Sequence, residues 1–536
     1  MKKNILLDCL STGSRGQAQG NAVIIHRGCT LEKVYAMLSI FVLCQCLLVS
    51  QPKEKNMLDA WNIIHEIENA NGAGEKGELS KREKFIESKL QGKTELSTNE
   101  IEILQQYLVD IKAIRREYTL SYAEVYQELK TKIPDLSARD MRKWENDYSL
   151  EYYLIDGDKK YYEYCIFDLF QVNQEAAKRA EIPEDKAHDA SIYPMETIAA
   201  FEKGIEFSKK ISVSFTFTEE TGALPNGTII KAWIPYVREN QYQSNIKLVR
   251  SSEEKITLPG KDNLTSMIYF EKKINLKNNS NAEWRAYFKE PLPSWIGKMG
   301  DQGPLKDTNY VCQFAYSYDS KGYYKNVDSR DIRPYHTSNQ DYQKSTDETE
   351  SNLFTTYLIN LSKEIVGKTT NDYLKAKKIY EWICKNVIWT APKTVLGDKA
   401  EYTAKYKRGD CGAKSNLFIS LCRINSIPAR SQGGWRIQPD GDHAQHTWAQ
   451  VFFEPYGWLP VDATVGARLI HHPDERVRYF YFGNCTPYHL IIYDDDTELL
   501  PEKDFECIYG GGPQLGAFEW KNGDIEPNIK IDSHVE

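Results

Sequence analysis

The order of elements between Arg408 and Thr464 constrains this chain more than any other feature, because a helix-patterned run is followed by a strand, a turn and a second strand. Residues 413–424 set Ala413, Leu417, Phe418, Leu421 and Ile424 on one helical stripe. His446-Thr447-Trp448-Ala449-Gln450-Val451-Phe452-Phe453 has the aromatic and β-branched content of a strand. Glu454-Pro455-Tyr456-Gly457 reads as a turn, and Trp458-Leu459-Pro460-Val461-Asp462-Ala463-Thr464 as the returning strand. A hairpin here follows a helix that starts just after the polar loop Arg408-Gly409-Asp410.

Asp410 is suited to cap that helix, which places Cys411 in its first turn. Backbone N–H groups project from such an end and favour negative charge on a sulfur placed there. A nucleophilic cysteine also needs a base and a group that orients the base. Folding the hairpin about Glu454 sets His446 opposite Asp462, each eight residues from the turn, close enough for the carboxylate to hold the imidazole. Pro460 or a bulge can shift that register. His443 competes for the base role, but Gln438-Pro439-Asp440-Gly441-Asp442-His443 is turn chemistry and places it on a loop rim.

Gly409-Asp410-Cys411-Gly412, Leu421 to Arg430, His446-Thr447-Trp448-Ala449-Gln450-Val451 and Gly457-Trp458-Leu459-Pro460-Val461-Asp462 together resemble the core of the transglutaminase-like superfamily. The resemblance covers about Tyr373 to Gly483. It implies an α+β, papain-like fold, with a cysteine-bearing helix on an antiparallel sheet that carries histidine and aspartate. It also implies Cys411 as nucleophile, His446 as general base and then acid, and Asp462 as orienter. Trp389 is the candidate side-chain donor to an oxyanion beside the Cys411 N–H, because relatives carry an aromatic residue there. A core tryptophan closing the preceding helix is the plainer alternative for Trp389, and Tyr406 is a weaker second candidate. The superfamily includes protein cross-linking acyltransferases, cysteine peptidases, amidases and inactive binding domains. Hydrolysis of an amide bond in a peptide, protein or peptide-containing polymer, through a thioester, is the expected activity. Acyl transfer from glutamine and a non-catalytic binding module are the alternatives.

At 536 residues the chain needs several domains. Lys+Arg 68 against Asp+Glu 76 gives a net charge of −8, so no basic field recruits nucleic acid. Val34 to Ser50 is an apolar run that fits a signal-peptide core or short membrane anchor, so residues 1–55 are set apart, the true start is expected downstream near Met37, and the protein is expected to be exported. Residues 56–205 are mainly helix-patterned. Residues 206–325 alternate as strands and suggest a β-sandwich. Residues 326–349 are polar and read as a linker, and 350–536 as the catalytic domain. Cys165, Cys312, Cys384, Cys411, Cys422, Cys485 and Cys507 are odd in number and irregularly spaced, so they do not form a disulfide framework. The absence of Cys-x-x-Cys and His-Glu-x-x-His argues against zinc, and no cofactor is expected.

Overall fold

The computed structural model of the chain describes residues 79–92, 98–182, 189–220, 227–274, 309–349, 351–439, 443–495, 499–505, 512–525 and 528–536, with a few single positions between them. The Val34 to Ser50 run and Cys507 lie outside the described residues. Among the described residues, no helix is long and apolar enough to cross a membrane.

Helices Leu79–Gln91, Thr98–Glu117, Tyr122–Lys132, Ala138–Asn146 and Cys165–Val172 dominate the first part. Two of them begin where the sequence supplies a capping box, Ser121 with Glu124 and Ser137 with Asp140, each pair satisfying otherwise orphaned N–H groups. A small antiparallel sheet of β1 (Tyr118–Ser121), β2 (Tyr152–Ile155) and β3 (Asp158–Tyr162) is set among them in the order β1-β3-β2. Asp156 and Gly157 join β2 to β3 with positive φ of 54° and 88°, the backbone a two-residue hairpin turn requires.

The strand-patterned region forms two sheets. Strands β4 (Ser208–Glu220), β5 (Ile229–Pro235), β6 (Gln243–Ser251), β7 (Met267–Lys273) and β8 (Asn309–Lys321) divide between them. Alternating residues Ile211, Val213, Phe215 and Phe217 of β4 are buried in a core that also holds Trp233, Phe270, Phe314 and Tyr316, as expected of facing sheets.

The polar stretch 326–349 is not a free linker. It contains the helix Gln340–Thr346 and lies along the next domain, with Arg333 N–H bonded to Glu454 O, Tyr335 Oη to Phe452 O and Tyr342 Oη to Ser426 O. Its tyrosines carry those contacts, and polar composition alone concealed them.

Helices Thr356–Val366, Asp372–Asn386 and Lys399–Tyr406 then surround the helix Cys411–Ile424. A short parallel pair, β9 (Ile388–Trp389) with β10 (Arg408–Gly409), leads into it. That helix is buried on nearly every side, including Lys414, Ser415, Ser420, Cys422 and Arg423, so the stripe seen in the sequence is only part of its packed surface. It lies on a sheet of β11 (Ala429–Ile437), β12 (His443–Phe453), β13 (Gly457–Val461) and β14 (His489–Asp494) in the order β13-β12-β11-β14, antiparallel throughout. Ala429, Ala449, Val451, Phe453, Leu459 and Val461 bury one face of this sheet against the helices. Trp435, Ile437, Leu490, Ile492 and Tyr493 join the sandwich core instead.

The C-terminus departs from the expected single catalytic domain over 350–536. Strands β15 (Ala517–Trp520), β16 (Gly523–Ile525) and β17 (Asn528–Val535) complete the sandwich, β15 beside β5 and β17 along β4 from Asn528↔Thr218 to Val535↔Ile211. Their apolar residues Ala517 and Phe518 fill its core, a long-range pairing that local patterning does not reveal.

Candidate active site

Asp410 has extended backbone angles and its side chain accepts from Ala413 N at 2.7 Å, so it caps the helix as its sequence position suggests. Cys411 is the first helical residue and is partly exposed. Ser415 binds this turn to the sheet, with its Oγ 2.8 Å from Cys411 O and 3.2 Å from Thr447 O. Thr447 is the neighbour of His446, so nucleophile and base are fixed to one another through two short links.

His446 and Asp462 meet, although not by the register the sequence suggested. The pairs Ala449↔Val461 and Phe453↔Gly457 place the centre of the hairpin at Pro455 rather than Glu454. Pro460 keeps its place opposite Gln450. Asp462 lies just past the last paired residue and would face Trp448, so His446 is its diagonal neighbour on the same face, still within side-chain reach. His446 Nε2 is 2.7 Å from Asp462 Oδ2, both side chains nearly fully buried. Asp462 also caps the helix Ala463–Leu469, its Oδ1 accepting from Thr464 N at 2.9 Å and Val465 N at 3.0 Å.

With Nε2 committed to Asp462, Nδ1 of His446 is left for the Cys411 thiol, its other hydrogen-bond partner. Burial, the largest influence, pushes the imidazole down, but the charge and hydrogen bond of Asp462, helped by Cys411, raise it from 6.5 to about 9. Burial alone would push Asp462 up; His446 and His489 overcome this and hold its carboxyl well below the usual range. An imidazolium beside the sulfur at neutral pH follows from this balance.

Three neighbours were not singled out from the sequence. His489, at the start of β14, aims Nε2 at the same Asp462 Oδ2 from 3.4 Å and is buried. Its clue was a histidine opening the apolar run Leu490-Ile491-Ile492-Tyr493, which marks a buried strand. Trp448 packs against both rings, its centroid 5.6 Å from that of His446 and 5.0 Å from that of His489, and its Nε1 donates to Gln432 Oε1 at 2.6 Å. Lys414 is buried beside the site, and burial pushes its amine down against the pull of Cys384, Asp462 and Cys411. Among the described residues, His446, Asp462 and His489 have ligand-type atoms within 4.8 Å of one another. Both rings aim at one carboxylate oxygen and the other oxygen serves the helix cap, so the set reads as a hydrogen-bond network rather than a metal centre.

Trp389 is paired with Gly409, two residues before Cys411. It is 40 % exposed, which removes the reading of a core tryptophan. Its ring meets Phe167 of the helical region edge to face at 5.9 Å. Beyond it, the 390–396 segment is clasped by that region: Ala391 N donates to Asp168 Oδ1 at 2.8 Å, and Thr394 N to Glu117 Oε2 at 2.7 Å. Lys393 is buried between Glu151 and Asp168. Tyr406 packs against Tyr402 and Tyr148. His443 is on β12 opposite Ile437, not on a loop rim, and its Nε2 lies 3.1 Å from Ser533 Oγ of β17. The strand begins at His443 itself, directly after the turn residues that suggested a loop.

A thiol at a helix N-terminus, an imidazole and a buried carboxylate on the adjacent sheet define a papain-like cysteine centre. Residues 359–463 match the transglutaminase-like superfamily, and this core belongs to it. An uncharacterized protein of Haemophilus influenzae is 26% identical over 199 residues, 30% of this chain, and the chain spans 54% of that relative's length. Among solved structures, a protein provisionally named a cysteine protease from Cytophaga hutchinsonii is similar over 62% of this chain and 93% of its own, at 16% identity and a TM-score of 0.39. The periplasmic domain of TgpA from Pseudomonas aeruginosa is similar over 54% of this chain and 94% of its own, at 12% identity and a TM-score of 0.25.

Proposed function

We propose that this chain is a cysteine-dependent amide-bond hydrolase, a peptidase or amidase acting through a thioester, with a peptide, protein or peptide-containing polymer as substrate. The observation that carries the reading is the helix-start thiol of Cys411, joined to a buried imidazole that a carboxylate holds at 2.7 Å. The Cys411 sulfur attacks the amide carbon, and the C–S bond forms as the carbonyl electrons move onto oxygen. The Cys411 N–H, which has no acceptor within its own helix because of its position in the first turn, supports that oxyanion with Trp389 as the side-chain donor. His446, already protonated, gives its proton to the departing amine. It then takes one from water, which attacks the thioester and releases the acid. Asp462 keeps the ring oriented and compensates its charge in both steps. Cys411 is partly exposed, so water reaches the thioester. Export, with Val34 to Ser50 as the targeting or anchoring segment, belongs to the same proposal.

The test is incubation of the purified protein with peptide and peptide-polymer substrates, with and without a primary amine, followed by mass spectrometry. Hydrolysis that disappears in Cys411→Ala and His446→Ala supports the proposal. Incorporation of amine without net cleavage supports acyl transfer from glutamine. Turnover that survives either substitution overturns the assigned roles.

A further inference from the structure

We propose that His489 is a positioning residue: a neutral second imidazole that donates to Asp462 Oδ2 and thereby limits how strongly Asp462 holds the proton of His446. The inference rests on the cysteine–histidine reading above and deepens it.

The geometry specifies the tautomer. Asp462 Oδ2 accepts from His446 Nε2 at 2.7 Å and faces His489 Nε2 at 3.4 Å, so the proton of His489 belongs on Nε2. Its Nδ1 is then an acceptor, and Thr486 Oγ1, 3.4 Å away, supplies the hydroxyl. Thr486 is also a hydrogen-bond partner of Tyr481. Trp448 packs edge to face on the ring, and His489 and Thr486 are both buried. Burial is also the main reason the imidazole is pushed below 6.5, with His446 and Arg436 acting in the same direction against Asp462.

Asp462 does not need His489 to stay in place, because its Oδ1 is fixed by Thr464 N and Val465 N. What His489 changes is the electron density left on Oδ2. A donor shared on one carboxylate oxygen weakens the oxygen's hold on the other donor, and at 3.4 Å the effect is a moderate one. The consequence is for the second half of the reaction, when His446 must give up its proton. Other charged or titratable groups around Asp462 are Lys414 and Cys384 from the helices and Tyr380 and Tyr481 beside them, and none of these is altered by the substitutions below.

The experiment is the pH dependence of Cys411 alkylation in the full chain, followed by peptide mass mapping, with circular dichroism as the folding control. The wild type is expected to give two limbs: formation of the thiolate–imidazolium pair at low pH, and loss of the imidazolium proton at high pH. In His489→Leu the upper limb should move up by about half a pH unit to one unit. His489→Gln, whose amide N–H reaches the place of Nε2–H, should restore the wild-type position. Thr486→Val should move the limb in the same direction by less, and carries the test if His489→Leu does not fold. A two-limbed profile unchanged in the Leu and Val variants overturns this inference alone, as does a downward shift, which would mean that Asp462 has been displaced. A single simple thiol titration in the wild type overturns the cysteine–histidine reading and this inference with it.

Discussion

Replacing Asp462 by asparagine removes a charge and little else, because Asn is an equally good cap for Thr464 and Val465 and matches the carboxylate in shape. His446 loses its counter-charge in a site where burial already works against the imidazolium. A folded-state value of about 9 against 6.5 corresponds to ~3 kcal/mol at about 1.36 kcal/mol per pH unit. The sign follows from the direction of the shift. A histidine raised on folding contributes its full stabilisation below 6.5 and loses it as pH rises through about 9. Urea midpoints of the wild type should therefore fall across that window, and Asp462→Asn should be less stable by ~3 kcal/mol at neutral pH with that fall abolished. Tryptophan fluorescence and circular dichroism, followed in parallel, separate the transition of the catalytic core from those of the other domains. A variant whose midpoint and pH slope match the wild type would refute the electrostatic coupling of the two residues.

Cys411→Ala should eliminate alkylation-sensitive turnover and lower the unfolding midpoint, measured by circular dichroism, by much less than Asp462→Asn, since the thiol is partly exposed and adds less than Asp462 to the hold on the His446 imidazolium. Gly434→Ala should be severely destabilising, by about 3 kcal/mol or more, because a Cβ there would lie 1.8 Å from Leu490 O in the backbone of β14; near-normal expression and melting would contradict it. Lys393→Met leaves Glu151 and Asp168 facing each other without their shared cation. The cost should be about 3–5 kcal/mol, detected as faster limited proteolysis in the 390–396 segment.

The site was legible where it depended on local chemistry. Asp410 and Cys411 announce a helix start, and the His446 and Asp462 strands announce a hairpin, because caps and turns are determined by neighbouring residues. The centre of that hairpin was misplaced by one residue, which shifts the pairing by two, so the two side chains stayed on one face, since a diagonal and a direct partner share the pleat. His489 was missed because its partner lies 27 positions earlier, and nothing local distinguishes a functional histidine from a packed one. The sandwich was visible as alternation, but its closing strands were not, because β17 finds β4 across most of the chain. The apolar stripe of the helix Cys411–Ile424 gave no sign that Lys414 and Arg423 are buried too, because the helix is packed on nearly every side.

The return of the C-terminus to the sandwich orders the protein's assembly in time. Ile211 emerges from the ribosome long before Val535, its partner, has been made, so β4 must wait with one edge open while the whole papain-like core is synthesised. The core can therefore organise its nucleophile first, and the sandwich closes last, around a domain that is already built. Loss of the final strands by nicking or premature termination would leave a completed cysteine centre attached to an unsealed sheet edge, a species prone to pairing with other chains.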